Sequence, residues 1–180
     1  MQLLREQSLV LDRETEFDRA EFQRIYYRAW PDVFRYALLL LRHRADAEDV
    51  AAEAFRRALE ACDDGHGPRG DALPWLFVIA RRIVIDRRRR HRLIGWLSLE
   101  SVSEPSDSDE AMRRSEVWIW FEQLCRALPE AQREALILRY QFDLSDAEAA
   151  SVMGISVGSV RTRVSRGSAT LRQKPEVMER

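Results

Sequence analysis

The chain has 180 residues, with 29 basic and 30 acidic side chains for a formal net charge of -1, and 46% of it is hydrophobic. That length suits one domain or two small ones, and the charge balance excludes a uniformly basic nucleic-acid coat. Charge comes in blocks instead: residues 81–92 hold seven arginines against Asp86, whereas residues 99–110 hold five acids and no base, so local fields steer partners more than the total does.

Cys62 and Cys125 are too few and too widely spaced for a disulfide framework, no CxxC metal spacing occurs, and both are expected to be reduced thiols. Arg5 and Glu6 stand where a signal peptide needs its apolar stretch, and apolar runs such as residues 36–41 are far shorter than a membrane span. The expectation is a cytoplasmic protein without membrane insertion.

Strand signals are almost absent, while helical periodicity recurs at least six times, which predicts an all-α protein. After an N-terminal tail (residues 1–15), residues 16–29 place Phe17, Phe22, Ile25, Tyr26 and Ala29 on one side, and Pro31 is expected to open a second helix over residues 30–41. Asp46 is the expected N-cap of a third helix reaching residue 61, with Val50, Ala51, Ala54, Phe55, Ala58 and Leu59 inward and Glu48, Asp49, Glu53, Arg56 and Arg57 outward. Residues 63–71, DDGHGPRGD, read as an exposed loop. Asp71 and Pro74 then start a helix whose core stripe is Leu76, Ile79, Ala80 and Ile83 and whose charge is Arg81, Arg82, Arg87, Arg88, Arg89 and Arg90. Trp75 and Phe77 are its aromatics. The four helices of residues 16–92 can bury one core.

Residues 93–115 lose periodicity, and their acidic stretch SLESVSEPSDSDE has the composition of a flexible linker. A second bundle is expected over residues 116–174, beginning with a stripe of Val117, Trp120, Phe121, Leu124 and Leu128, continuing with a short helix opened by Pro129, and followed by a tail over residues 175–180. Its last part, residues 144–171, reads LSDAEAASVMGISVGSVRTRVSRGSATL. Ser145 followed by Glu148 makes a capping box that starts a helix at Asp146. Gly154 suits the left-handed residue after its last turn, and Ser156 caps the next helix. In that helix Val157, Val160, Val164 and Leu171 recur at helical spacing, while Thr162, Ser165, Arg166 and Ala169 lie opposite, flanked by Arg161 and Arg163. Counting Asp146 as one, a small residue falls fifth (Ala150), glycine ninth and an aliphatic fifteenth (Val160), the spacing of a helix-turn-helix. Small side chains let such a helix enter a major groove, and arginines fork onto phosphates or guanine edges. A pair of amphipathic helices with a solvated arginine face is the bland alternative.

In these motifs the chain resembles the extracytoplasmic-function sigma factors, two-domain members of the bacterial sigma-70 superfamily. FQRIYYRAWPDVFRYALLLLRHRADAEDVAAEAFRRALEA is similar to region 2, with Asp46 to Val50 at the AED signature; ALPWLFVIARRIVIDRRRR is similar to the promoter-melting helix; and ALPEAQREALILRYQFDLSDAEAASVMGISVGSVRTRVSRGSATLR is similar to region 4. Ala52, Ala54, Arg82, Ala149 and Ser159 depart from the family's commoner residues.

The resemblance implies a specificity subunit, not an enzyme, that needs no cofactor or metal. It implies partners: core RNA polymerase through its beta and beta-prime subunits, promoter DNA, and an anti-sigma factor. It assigns polymerase binding to Glu48, Asp49, Glu53, Arg56 and Arg57, which without the resemblance would read first as a plain solvated helix face. The −10 element falls to Trp75, Arg81, Arg82, Arg87, Arg88, Arg89 and Arg90, since holding an unstacked base calls for a positive groove with an aromatic platform. Phe77, beside the core stripe, is open to either a core or a DNA role. The −35 element falls to Ser159, Arg161, Thr162, Arg163, Ser165 and Arg166. The acidic linker would follow the RNA exit path, or serve as a tether.

Two other readings stand beside this one. A stand-alone helix-turn-helix regulator would account for residues 144–171 but not for the AED helix or the arginine helix. A helical metal hydrolase built on His43, Asp46, Glu48 and Asp49 lacks the Glu-x-x-His repeat that such sites use.

Overall fold

The computed structural model describes residues 19–95 and 128–173, and these are all-α. The expected tails, most of the linker, Cys125 and the stripe of Val117, Trp120, Phe121 and Leu124 lie outside the described residues.

Helix α1 spans Arg19–Leu41 as one piece, with Pro31 inside it. The sequence pattern predicts a break there, because a mid-helix proline removes a hydrogen bond and crowds the preceding turn, at about 3 kcal/mol. Burial overrides that penalty. Pro31 faces solvent, while Phe22, Ala29, Val33, Tyr36, Ala37 and Leu40 bury a stripe that stays in phase across it. Arg42 follows with φ +59°, a left-handed residue that ends the helix without a glycine.

Helix α2 covers Arg44–Asp63. Its N-cap is His43, not Asp46: the imidazole Nδ1 accepts a hydrogen bond from the Asp46 backbone N–H at 3.2 Å. Asp46 sits in the first turn instead, where its carboxylate faces Arg87 from the next helix at 3.3 Å. The loop of residues 64–71 leads into α3, Ala72–Gly95, where Asp71 accepts from the Leu73 N–H at 3.1 Å. Helix α3 thus runs past residue 92, where the sequence reading places the end of the front bundle.

The rear helices are α4 (Glu130–Leu136), a π-helical turn over Ile137–Gln141, α5 (Asp146–Met153) and α6 (Val157–Arg172). Pro129 precedes α4 as expected, and beyond Leu136 the short helix widens into the π turn, a local device seen often near functional sites.

Buried residues from all six helices form one continuous cluster. Tyr36 of α1 packs at a tilt against Phe77 of α3 with centroids 4.7 Å apart, and Phe142, just after the π turn, meets both rings at 6.1 and 4.7 Å. A second aromatic cluster, Tyr26, Trp30 and Phe55, joins α1 to α2. Front and rear helices therefore share a core, where the sequence left open whether they touch.

Candidate nucleic-acid interface

The helix-turn-helix forms from local signals. Ser145 Oγ accepts from the Glu148 N–H at 3.2 Å, and the Glu148 carboxylate accepts from the Ser145 N–H at 2.7 Å. The Ser145 hydroxyl first, and then the Ser145 N–H, hold the Glu148 carboxyl below its ordinary value. Gly154 takes φ +64°, which only glycine adopts without cost. Ser156 Oγ then accepts from the Ser159 N–H at 3.2 Å and opens α6.

Val160 anchors α6 in the core with no exposed surface, and Val157 and Val164 pack beside it. The opposite face is open: Arg161, Thr162, Ser165, Arg166 and Ala169 are exposed, and Arg163 is half-buried. Ser159 is partly committed to the cap, its Oγ lying 2.9 Å from that of Ser156. Arg161 Nε donates to Asp146 Oδ2 at 2.8 Å, while Asp146 Oδ1 takes Arg139 Nε at 2.9 Å. One carboxylate thereby orients two arginines, and its own pKa is lowered, chiefly by the Arg161 bond.

Sequence reasoning missed a flank of this face. Arg139 and Tyr140, from the π turn, join Arg161, Ser165, Ser168 and Arg172 around a cleft of about 330 Å³, with Tyr140 70% exposed. A tyrosine beside an arginine was visible in the sequence. Its distance from α6 was not.

It also missed the close approach that seats the recognition helix. Gly167 is buried, and a Cβ placed there would lie 2.8 Å from Leu136 Cδ1 on α4. A glycine inside a helix with a packing reason is the only signal the sequence offers.

The front bundle gathers four of the five expected polymerase contacts. Asp49, Glu53, Arg56 and Arg57 line a cleft of about 450 Å³ between α2 and α3, together with Arg87 and Arg90. Glu48 lies outside it, paired with Arg44 at 2.7 Å. Glu53 accepts from both Arg56 and Arg57 at 2.7 to 2.8 Å, and these bonds, Arg56 first, pull its carboxyl down to about 2.

The α3 arginines divide into distinct settings. Arg82, Arg89 and Arg90 are exposed. Arg87 staples α3 to α2, donating to the Asp46 carbonyl at 2.9 Å and to Asp49 Oδ2 at 2.8 Å. Arg88 pairs with Glu130 of α4 and donates to the Leu40 carbonyl. Arg81 Nε donates to Glu134 Oε1 at 2.6 Å and a second guanidinium nitrogen reaches Oε2 at 3.3 Å, while the Tyr36 hydroxyl donates to Oε1 at 2.9 Å. Glu134, 5% exposed, is the only charged residue buried among the described residues. Burial first, and then the Glu134 carboxylate, push the Tyr36 hydroxyl well above its ordinary pKa, so it remains a donor. Phe77 is wholly buried, which places it in the core; Trp75 packs half-buried against the same core.

Comparison with known proteins finds family matches in both halves of the chain. Sigma-70 region 2 matches residues 26–94, and sigma-70 region 4 matches residues 119–171. The ECF RNA polymerase sigma factor SigM of Bacillus subtilis is 31% identical over 159 residues, covering 82% of this chain and 91% of SigM. The chain belongs to the extracytoplasmic-function (ECF) RNA polymerase sigma factors. Like them, it is a transcription initiation factor and not an enzyme.

This sigma factor is also 34% identical over 146 residues to the probable RNA polymerase sigma factor RfaY of Xanthomonas campestris, covering 77% of the chain but only 36% of RfaY's length. In fold it is similar to the sigma factor RpoE of Bartonella quintana, solved in complex with the anti-sigma factor NepR, with a TM-score of 0.70 and 25% identity over 89% of this chain and 99% of that one. Among the described residues, no helix is long and apolar enough to cross a membrane, and no group of three or more His, Cys, Asp or Glu could hold a metal ion.

Proposed function

We propose that this sigma factor divides promoter use between its two faces, residues 16–92 serving the polymerase and the −10 element and residues 116–174 serving the −35 element, joined by residues 93–115. The observation that carries the reading is α6: a helix pinned by Val160 with Thr162, Ser165 and Arg166 open on its far side. Such a face fits a major groove, with Thr162, Ser165 and Arg166 toward base edges and Ser159, Arg161 and Arg163 toward phosphates.

The cleft of Asp49, Glu53, Arg56 and Arg57, with Glu48 beside it, docks on core RNA polymerase. Paired charges there set register and encounter rate more than affinity. On α3, exposed Arg82, Arg89 and Arg90 take phosphates of the −10 element, Arg81, Arg87 and Arg88 extend that surface, and half-buried Trp75 offers an aromatic edge. Each phosphate contact makes binding fall by roughly 0.9 log units per log unit of salt. An anti-sigma factor is a partner by similarity to RpoE. The site of action is the cytoplasm.

The deciding experiment adds the purified chain to core polymerase on genomic DNA and maps the transcript starts. New starts sharing two spaced sequence elements support the reading; DNA binding without any new start would favour a stand-alone regulator. Arg166→Ala should lower use of the preferred −35 sequence by roughly 5- to 150-fold, corresponding to about 1–3 kcal/mol of base discrimination. A loss equal across all sequences makes Arg166 a phosphate contact.

A further inference from the structure

We infer that the cleft between the π turn and α6 holds a phosphate strand of the DNA, with Arg139, Tyr140 and Arg172 as contacts outside the recognition face. This rests on the reading of α6 as the helix that enters the major groove. The added wall grips the backbone and carries no base preference.

The π turn builds that wall. Residues 134–138 are buried in succession, so the chain is covered on every side at that level. One more regular turn would set Tyr140 over Leu136 and Ile137, four and three positions back, and bury it with them. The chain widens instead: the Phe142 N–H donates to the Ile137 carbonyl at 3.3 Å and the Leu144 N–H to the Leu138 carbonyl at 3.0 Å. Between them Asp143 takes φ +51°, a left-handed value that aspartate tolerates better than most side chains. Tyr140 emerges 70% exposed beside Arg139.

Across the cleft of about 330 Å³ stand Arg161, Ser165, Ser168 and Arg172, spaced four, three and four residues apart along one face of α6 over about 16 Å. Three guanidinium groups against the one carboxylate of Asp146 leave the cleft with a charge of +2, and Tyr140, Ser165 and Ser168 add hydroxyl donors. Asp146 takes Nε of Arg139 at 2.9 Å and Nε of Arg161 at 2.8 Å. Each guanidinium carries four more N–H donors at its terminal nitrogens, so this pairing sets the spacing of the two arginines without exhausting them. Donors of this kind, forked and charged, suit phosphate oxygens.

Placement selects the source of the phosphate. Arg161 and Ser165 belong both to the cleft and to the open face of α6, so an anion in the cleft lies alongside the helix that reads bases. A helix with its side chains is about 10–12 Å across and the major groove about 12 Å wide. Helix α6 therefore fills the groove, and the wall at its flank meets the strand that borders it.

The test is fluorescence anisotropy of the full chain with two labelled duplexes, one carrying the upstream element shared by the mapped starts and one scrambled, titrated at several KCl concentrations. Arg139→Ala and Arg172→Ala should each lower the slope of log K against log salt by roughly 0.9 and weaken both duplexes by the same factor. Tyr140→Phe, which deletes only the hydroxyl, should weaken both by about 2- to 12-fold. The preference between the duplexes should keep the parent value in all three. Tyr140 and Arg172 are exposed, so their variants remain informative if Arg139→Ala, which also loses the Asp146 pair, disturbs the helical circular dichroism. Arg172→Ala with the parent's slope, or Tyr140→Phe with the parent's affinity, overturns the inference, as does a loss confined to the preferred duplex. The reading of α6 fails separately, when the unaltered chain binds the two duplexes equally.

Discussion

Gly167→Ala probes how the recognition helix is seated. Alanine in place of a glycine inside a helix contributes about 0.8–1.0 kcal/mol of stabilisation through backbone entropy. At Gly167 the added Cβ would stand 2.8 Å from Leu136 Cδ1, 3.3 Å from its Cγ and 3.5 Å from Gln132 Cβ. Leu136 is buried, so its methyl cannot swing into solvent, and overpacking of this kind costs about 1–3 kcal/mol. The net expectation is a destabilisation of about 0–2 kcal/mol. Gly158, on the same helix with nothing within 4 Å of an added methyl, is the control. There alanine should stabilise by up to about 1 kcal/mol.

Because propensity is common to both, the difference between Gly158→Ala and Gly167→Ala isolates the α4–α6 packing. It should be about 1–3 kcal/mol, a separation of roughly 2–12 °C in Tm for a chain of this size. Thermal unfolding followed by circular dichroism measures it. Equal Tm values for the two variants would mean that α6 does not approach α4 as closely as the structure has it.

Two further outcomes follow from the caps and the depressed carboxyls. Ser145→Ala removes the acceptor for the Glu148 N–H and should cost about 1 kcal/mol in a urea titration, while NMR titration should show the Glu148 carboxyl rising toward its ordinary value of 4.5. Folding lowers the carboxyls of Glu53, to about 2, and of Asp146 and Glu148, so below their unfolded values the unfolded chain binds more protons than the native one. Their contribution to stability should be complete above about pH 4.5 and decline as pH falls toward 2; a urea midpoint that stays flat or rises across that window would refute the pairings.

What could be read in advance follows the range of the interaction. Ser145 with Glu148, Gly154 and Ser156 act on backbone groups within three or four residues, so the sequence already contains both partners of each bond. The pinned Val160 and open Thr162, Ser165 and Arg166 follow from helical period alone. Misreadings arose where a distant partner outweighed a local signal. Pro31 marks a helix end by its own chemistry, yet the buried stripe from Phe22 to Leu40 holds α1 through it. Asp46 has the ideal residue type for a cap, but Arg87, 41 positions on, engages its carboxylate, and His43 caps instead.

Composition, periodicity and capping chemistry by themselves determined an all-helical chain with an AED helix, an arginine helix and a helix-turn-helix in order, because each depends on neighbours along the backbone. Only the tertiary structure decided which arginines of α3 are open and which are held, because Glu130 and Glu134 reach Arg88 and Arg81 through the packing of Tyr36, Phe77 and Phe142. No local pattern encodes a contact that exists only when two bundles close on one core.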